Sequence, residues 1–285
     1  MQKIYLLGGL VLLTIACAHT HRASNGESML LGQHPEKDLQ KKPYRTWFNP
    51  NYANYVVDTA TTTILSPLLR QKDFLIFMGT WCPDSKREVP RMLHTLDACN
   101  VPRDRVHIVM VDYRDPAYKQ SPGHEERGKY IAHVPDLLVF ENKSEIGRIV
   151  ESPVVSLEKD LLTIVNNQPY HPQYRATYWL SLHLSYLSGA TLKGMSDSLR
   201  SQTNEPNELA TFSRILINQG DTVHAFLVSC LDTTLFPQNA QARSYLGRTC
   251  AWMQDTVAAT RAYRQALKLD TANKMAKDWL TAHSE

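Results

Sequence analysis

The sequence predicts an α/β domain, a central mixed sheet flanked by helices, followed by an all-α domain. Three observations carry that reading. From about residue 47 to 168, short apolar runs rich in β-branched residues alternate with segments of helical period. After Pro169 no strand pattern survives, and helical segments are punctuated by Gly189, residues 204–206, Gly220 and Pro237. Within that second half, offsetting the chain by 34 residues aligns Asp221, Thr222 and Val223 with Asp255, Thr256 and Val257, Asn239 with Asn273, and Ala242 with Ala276. A chain of 285 residues, 43% apolar and 21% charged, has the material for two cores.

In the first domain, strands are expected at 55–57, 74–78, 106–112, 137–141 and 146–150, with helices at 61–71, 84–98, 125–132 and 156–166. That order implies a mixed sheet with helices on both faces. Glu141, Asn142, Lys143 and Ser144 form a tight-turn sequence that joins the last two strands as a hairpin.

The chain begins with Lys3 and an apolar run over residues 4–16, too short to span a bilayer comfortably and patterned as a signal peptide. Residues 13–17, Leu-Thr-Ile-Ala-Cys, resemble the lipobox of bacterial lipoproteins, with Thr14 where Leu is usual. The resemblance implies lipidation of Cys17 and a chain held to a membrane in the bacterial cell envelope, facing the periplasm. The expected division is a signal peptide at 1–16, a lipidated cysteine and flexible linker at 17–45, the α/β domain at 46–170 and the helical domain at 171–285. Formal charge is +3, from 31 Lys+Arg against 28 Asp+Glu, which argues against nucleic acid as a partner.

The chemistry is concentrated where an apolar strand runs into Gly79, Thr80, Trp81, Cys82, Pro83, Asp84 and Ser85 at a helix start. A cysteine there faces unpaired backbone N–H groups and the positive end of the helix dipole, which favour its thiolate. Lys86 and Arg87 follow. They either support an ionised Cys82 or simply form a solvated helix face, and His133 is read more readily as a surface histidine than as a partner of the sulfur.

These landmarks resemble the thioredoxin superfamily: Trp81 before the cysteine, a two-residue spacer, Pro90 in the active-site helix, Val134-Pro135 before a strand, and residues 147–151 closing a final hairpin. The likeness covers about residues 46 to 168. It implies a thioredoxin-like fold, Pro135 as a cis-proline facing Cys82, and a catalytic set of Trp81, Cys82, Ser85 and Pro135. Two departures stand out. Ser85 occupies the place of the second cysteine, and Ile76 the place of the buried carboxylate, so an internal dithiol cycle is not available. Cys99, seventeen residues along, is too distant to bridge to Cys82 and reads as a buried structural thiol. The 34-residue repeat resembles tetratricopeptide units, with Leu246, Gly247, Ala259, Tyr263 and Ala266 in pattern and a third pair expected around residues 179–187. Cys230 and Cys250 fall on neighbouring helices, either bridged or as two separate buried thiols.

Two functions follow as expectations. One is monothiol exchange with exported protein clients through Cys82, resolved by an external thiol reductant. The other is a non-catalytic module that binds a protein partner through the fold and its helical repeats. Neither implies a cofactor or a metal.

Overall fold

The computed structural model describes residues 19–22, 28–203 and 205–283. The expected signal segment and Cys17 lie outside the described residues. Six strands form one sheet in the order β1-β2-β4-β3-β5-β6. They are β1 (His19–Arg22), β2 (Ser28–Gln33), β3 (Asp73–Met78), β4 (Val106–Met110), β5 (Asp136–Glu141) and β6 (Ser144–Val150). β3 runs parallel to β4 and antiparallel to β5, and the remaining pairings are antiparallel, so the sheet is mixed as expected. The β5–β6 hairpin turns at Asn142 and Lys143, both left-handed with φ of 49° and 67°, which matches the twist of the two strands.

The expected flexible linker does not hold from Ser28 onward. β2 pairs with β4 through Gly32 and Gln33, and Met29, Leu30, Leu31, Leu39 and Tyr44 are all buried. The apolar triplet is short and sits between polar residues, so it lacks the length that marks a strand in sequence. The strand expected at 55–57 is also absent. Its place is taken by α1 (Arg45–Ala53) and an extended connector, in which Tyr55 donates from its hydroxyl to Glu158 at 3.1 Å.

Four helices pack on a single face of the sheet: α1, α2 (Thr59–Leu69), α3 (Pro83–Ala98) and α4 (Leu157–Val165). Strand side chains alternate between faces. Phe74, Ile76, Met78, Leu137, Val139 and Ile149 point to the helical side and share a core with Phe48, Leu65, Leu69, Leu93, Leu96 and Leu161. Phe77, Val109, Val111 and Leu138 point to the other side, with Cys82, Ile131 and Val134. The expected helix at 125–132 would have covered them and does not form. His124, Gly128 and Tyr130 have positive φ, and the buried Glu126 carboxylate accepts from the backbone N–H (3.0 Å) and hydroxyl (2.6 Å) of Ser121. A looped segment, residues 111–134, therefore covers this face, in place of helices on both faces.

The second half is all helix: α5 (Arg175–His183), α6 (Gly189–Gln202), α7 (Glu208–Asn218), α8 (Thr222–Leu235), α9 (Ala240–Trp252), α10 (Thr256–Leu269) and α11 (Lys274–Ala282). The 34-residue period is structural. Asp221 and Asp255 cap α8 and α10 by accepting from the N–H groups of His224 and Ala258, and Asn239 and Asn273 cap α9 and α11 through Ala242 and Ala276. Gly247 lies against the Tyr263 ring, where a Cβ would stand 3.0 Å from three ring carbons, so α9 and α10 approach only because that residue is glycine. Around residues 179–187, where a third pair is expected, α5 shares a core with α7 and the loop residue Ala132, and α7 itself packs chiefly against α8.

Candidate functional site

β3 ends at Met78, and the chain turns through Gly79 to place Cys82 as the N-cap residue of α3. Gly79 is required by close approach. A Cβ on it would stand 2.4 Å from the Trp81 ring, which lies back over the turn and donates its indole N–H to the Val111 carbonyl at 2.9 Å. Cys82 is 7% exposed, and its thiol donates to the Val134 carbonyl at 3.2 Å. The Val134–Pro135 peptide is cis. Trp81, Cys82 and the residues flanking Pro135 are thus brought together although about fifty positions separate them.

Ser85 is buried completely and its hydroxyl oxygen accepts from the Gly79 N–H at 3.2 Å. It ties the turn to the first turn of α3, while the thiol uses Val134. Arg87 is engaged on its own helix, with Asp84 at 2.8 Å and the buried Glu88 at 2.6 Å, so the charged first turn pairs largely with itself. Pro90 and Val89 face the core, and Cys99 lies at the far end of α3 with its thiol pushed up to about 11 by burial. Cys230 and Cys250 are unbridged; burial pushes Cys230 up to about 11 as well, and the neighbouring Cys250 adds to that.

The looped segment and the helical half complete the site. Lys119, only 7% exposed, holds its ammonium 5.1 Å from the Trp81 ring centroid and 5.5 Å from that of Tyr118. Burial depresses it to about 8, against an opposing pull from Cys82. His133 is buried, not a surface residue: its ring stacks on Tyr174 at 3.5 Å, and burial with the charge of Lys119 drives it down to about 3. Asp136, next to Pro135, is buried and paired with Arg148 at 3.0 Å; desolvation still raises it to about 7. Glu151, raised by burial, accepts from the Tyr174 hydroxyl at 2.5 Å.

Comparison with protein-family models, with curated proteins and with solved structures finds no match to this chain.

Sequence reasoning named Trp81, Cys82, Ser85 and Pro135 and missed Lys119, Asp136, Glu151 and Tyr174. Asp136 had a signal in sequence, since an aspartate opening an apolar strand has to be paired or protonated. Lys119 had none, because a lysine between Tyr118 and Gln120 in a proline-containing loop reads as surface. The arrangement sets one thiol at a helix start against the Val134 carbonyl and keeps water largely away from it.

Proposed function

We propose that this chain is a thioredoxin-like monothiol protein of the bacterial cell envelope, exchanging thiols with exported clients through Cys82. The observation that carries the reading is the meeting of Cys82 Sγ with the Val134 carbonyl beside Pro135, at the start of a helix and under Trp81. In the exchange, the Cys82 thiolate attacks a client disulfide. The client S–S bond breaks, a Cys82–client disulfide forms, and the released client sulfur leaves as a thiolate that takes up a proton. An external thiol then displaces the client, since Ser85 has no sulfur with which to do so. Lipidation at Cys17 tethers the protein to the membrane, and the 34-residue helical pairs act as a tetratricopeptide-like platform for the client.

A specific observation favours the second reading, a binding module without turnover. Cys82 is 7% exposed and a hydrocarbon, Ile76, fills the position of a proton-accepting carboxylate. Thiol-specific alkylation of the mature protein followed by mass mapping separates the two. Under exchange, Cys82 is labelled well ahead of Cys99, Cys230 and Cys250, and clients are trapped on it as mixed disulfides in cells. Labelling of Cys82 no faster than of Cys99 would leave only the binding module.

A further inference from the structure

With Ile76 where a carboxylate would serve, the exchange chemistry lacks an evident proton acceptor, and three buried groups border the site: His133 and Asp136, which flank Val134 and Pro135, and Lys119, which lies over Trp81. His133 is stacked flat on Tyr174 and is held neutral as a very weak base by burial and by Lys119. Asp136 is anchored to Arg148, which Glu145 grips from its other side at 2.7 Å. Lys119 differs from both. Its ammonium rests on the faces of Trp81 and Tyr118, aromatic rings that attract a cation but accept no proton from it.

The backbone delivers this side chain deliberately. Asp112 N–H donates to Gln120 O at 2.9 Å and Lys119 N–H donates to Asp112 O at 2.7 Å, closing the loop after β4 back on itself. Lys119 itself has φ of 58°, a conformation unusual for a residue with a side chain. Trp81 is tied to Val111 at the root of the same loop, so the lysine and the residue next to Cys82 are fixed to one piece of backbone. The groups whose charges act on Lys119 are Cys82 foremost, then Glu151, Arg214 and Asp136, and Lys119 in turn acts on His133. Burial makes its neutral amine accessible near neutral pH.

We propose that Lys119 is the proton partner of Cys82: its neutral amine takes the thiol proton as the sulfur becomes nucleophilic, and the resulting ammonium returns a proton to the leaving client sulfur. This rests on the exchange reading above. The inventory closes. Cys82 thiol and Lys119 amine become thiolate and ammonium; the thiolate forms the new S–S bond as the client S–S bond breaks; the client thiolate becomes a thiol and Lys119 is an amine again. The only oxidant is the client disulfide.

The test is the rate of Cys82 with two small disulfides across about pH 5 to pH 10, one releasing an acidic aromatic thiol and the other, hydroxyethyl disulfide, an alkyl thiol. Mature protein, Lys119→Met and Lys119→Arg are compared. Lys119→Met should lower the rate near neutrality about tenfold or more and move the rise of the profile to higher pH for both substrates. Lys119→Arg keeps a cation that cannot give up its proton, so it should remain close to the parent with the aromatic disulfide and fall well below it with the alkyl one. Profiles of Lys119→Met that superimpose on the parent overturn the proposal and leave exchange standing. So does a Lys119→Arg protein that equals the parent on the alkyl disulfide, since charge alone would then suffice. A parent Cys82 inert toward both substrates overturns exchange itself, and the proton role with it. Should the variants fail to fold, the 13Cε resonance of Lys119 can be titrated in the parent and in Cys82→Ser: its midpoint should fall when the thiol is removed, and an unmoved midpoint rejects the pairing.

Discussion

The guanidinium of Arg214, on α7 of the helical half, lies 3.5 Å from the ring centroid of Tyr118, in the loop that covers the sheet face bearing Cys82. The same arginine pairs with Asp115 at 2.7 Å, and Asp115 also takes Arg248 from α9 at 3.5 Å. Tyr118 is in turn within electrostatic reach of Cys82. One side chain of the second half therefore holds the roof of the site in the first.

Removing that hold should open the roof. Arg214→Ala loses a close cation–π contact and an ion pair, worth together about 1–3 kcal/mol of stability. Cys82 alkylation should accelerate several-fold while Cys99 labelling stays put. Equal acceleration of both thiols would mean global loosening and not a local opening.

The turn before the cysteine makes an independent prediction. Gly79→Ala places a methyl group 2.4 Å from the Trp81 ring and forces the indole off the Val111 carbonyl. We expect a loss of about 1–3 kcal/mol in denaturant unfolding together with a changed Cys82 reactivity. A variant as stable as the parent would show that the ring has another place to lie.

Ser85→Cys places a thiol one helical turn from Cys82 at the start of α3. It gives up the hydroxyl that accepts from Gly79, so a modest destabilisation of about 1 kcal/mol is expected in the reduced form. On mild oxidation two free thiols should disappear together and the product should be an internal disulfide by mass. Persistence of both thiols would place the two sulfurs out of reach of each other.

Asp232, on α8, is fully buried and neither carboxyl oxygen has a hydrogen-bond partner among the described residues. Burial, with help from the nearby Glu208, raises it to about 8, against 3.8 for an ordinary aspartate. The folded state thus binds the proton more tightly than the unfolded chain. Stability from this group is complete below the unfolded value, declines as pH rises through the window between the two, and is gone above about 8. Asp232→Asn keeps the shape and removes the titration, so its advantage over the parent in melting temperature should grow from about pH 5 to pH 8. A constant difference across that range would contradict the assignment.

How much of this was legible beforehand divides along physical lines. The β3–Cys82–α3 segment was readable because five apolar strand residues and a helix opened by Pro83 each announce themselves locally, and the helical repeat because Asp221, Asn239, Asp255 and Asn273 recur where caps are needed. Strand β2 was hidden, since its place in the sheet is set by Gly32 and Gln33 pairing with Met110 and Val109 of the distant β4, and its apolar residues Met29, Leu30 and Leu31 are buried by that placement and not announced by any local pattern. The helical period at 125–132 was overridden by Glu126, which spends its carboxylate on Ser121 and fixes a loop. Of the site, the sulfur and the residues of its own helix could be found, whereas Lys119, His133 and Tyr174 acquire their character only from burial against distant chain.

The apolar cluster formed by α5 through α8 also contains Ala132, with Tyr118 and Tyr130 packed against it, all three from the loop of the first half. Tyr130 meets Phe212 edge-on at 6.2 Å. A gene fusion or deletion cut near residue 170 would strand those rings in water on one fragment and leave a hollow of matching shape on the other. The chain is for this reason a poor donor of interchangeable parts: recombination at its most obvious seam is disfavoured, and new specificity has to arise by point substitutions that both halves accommodate at once.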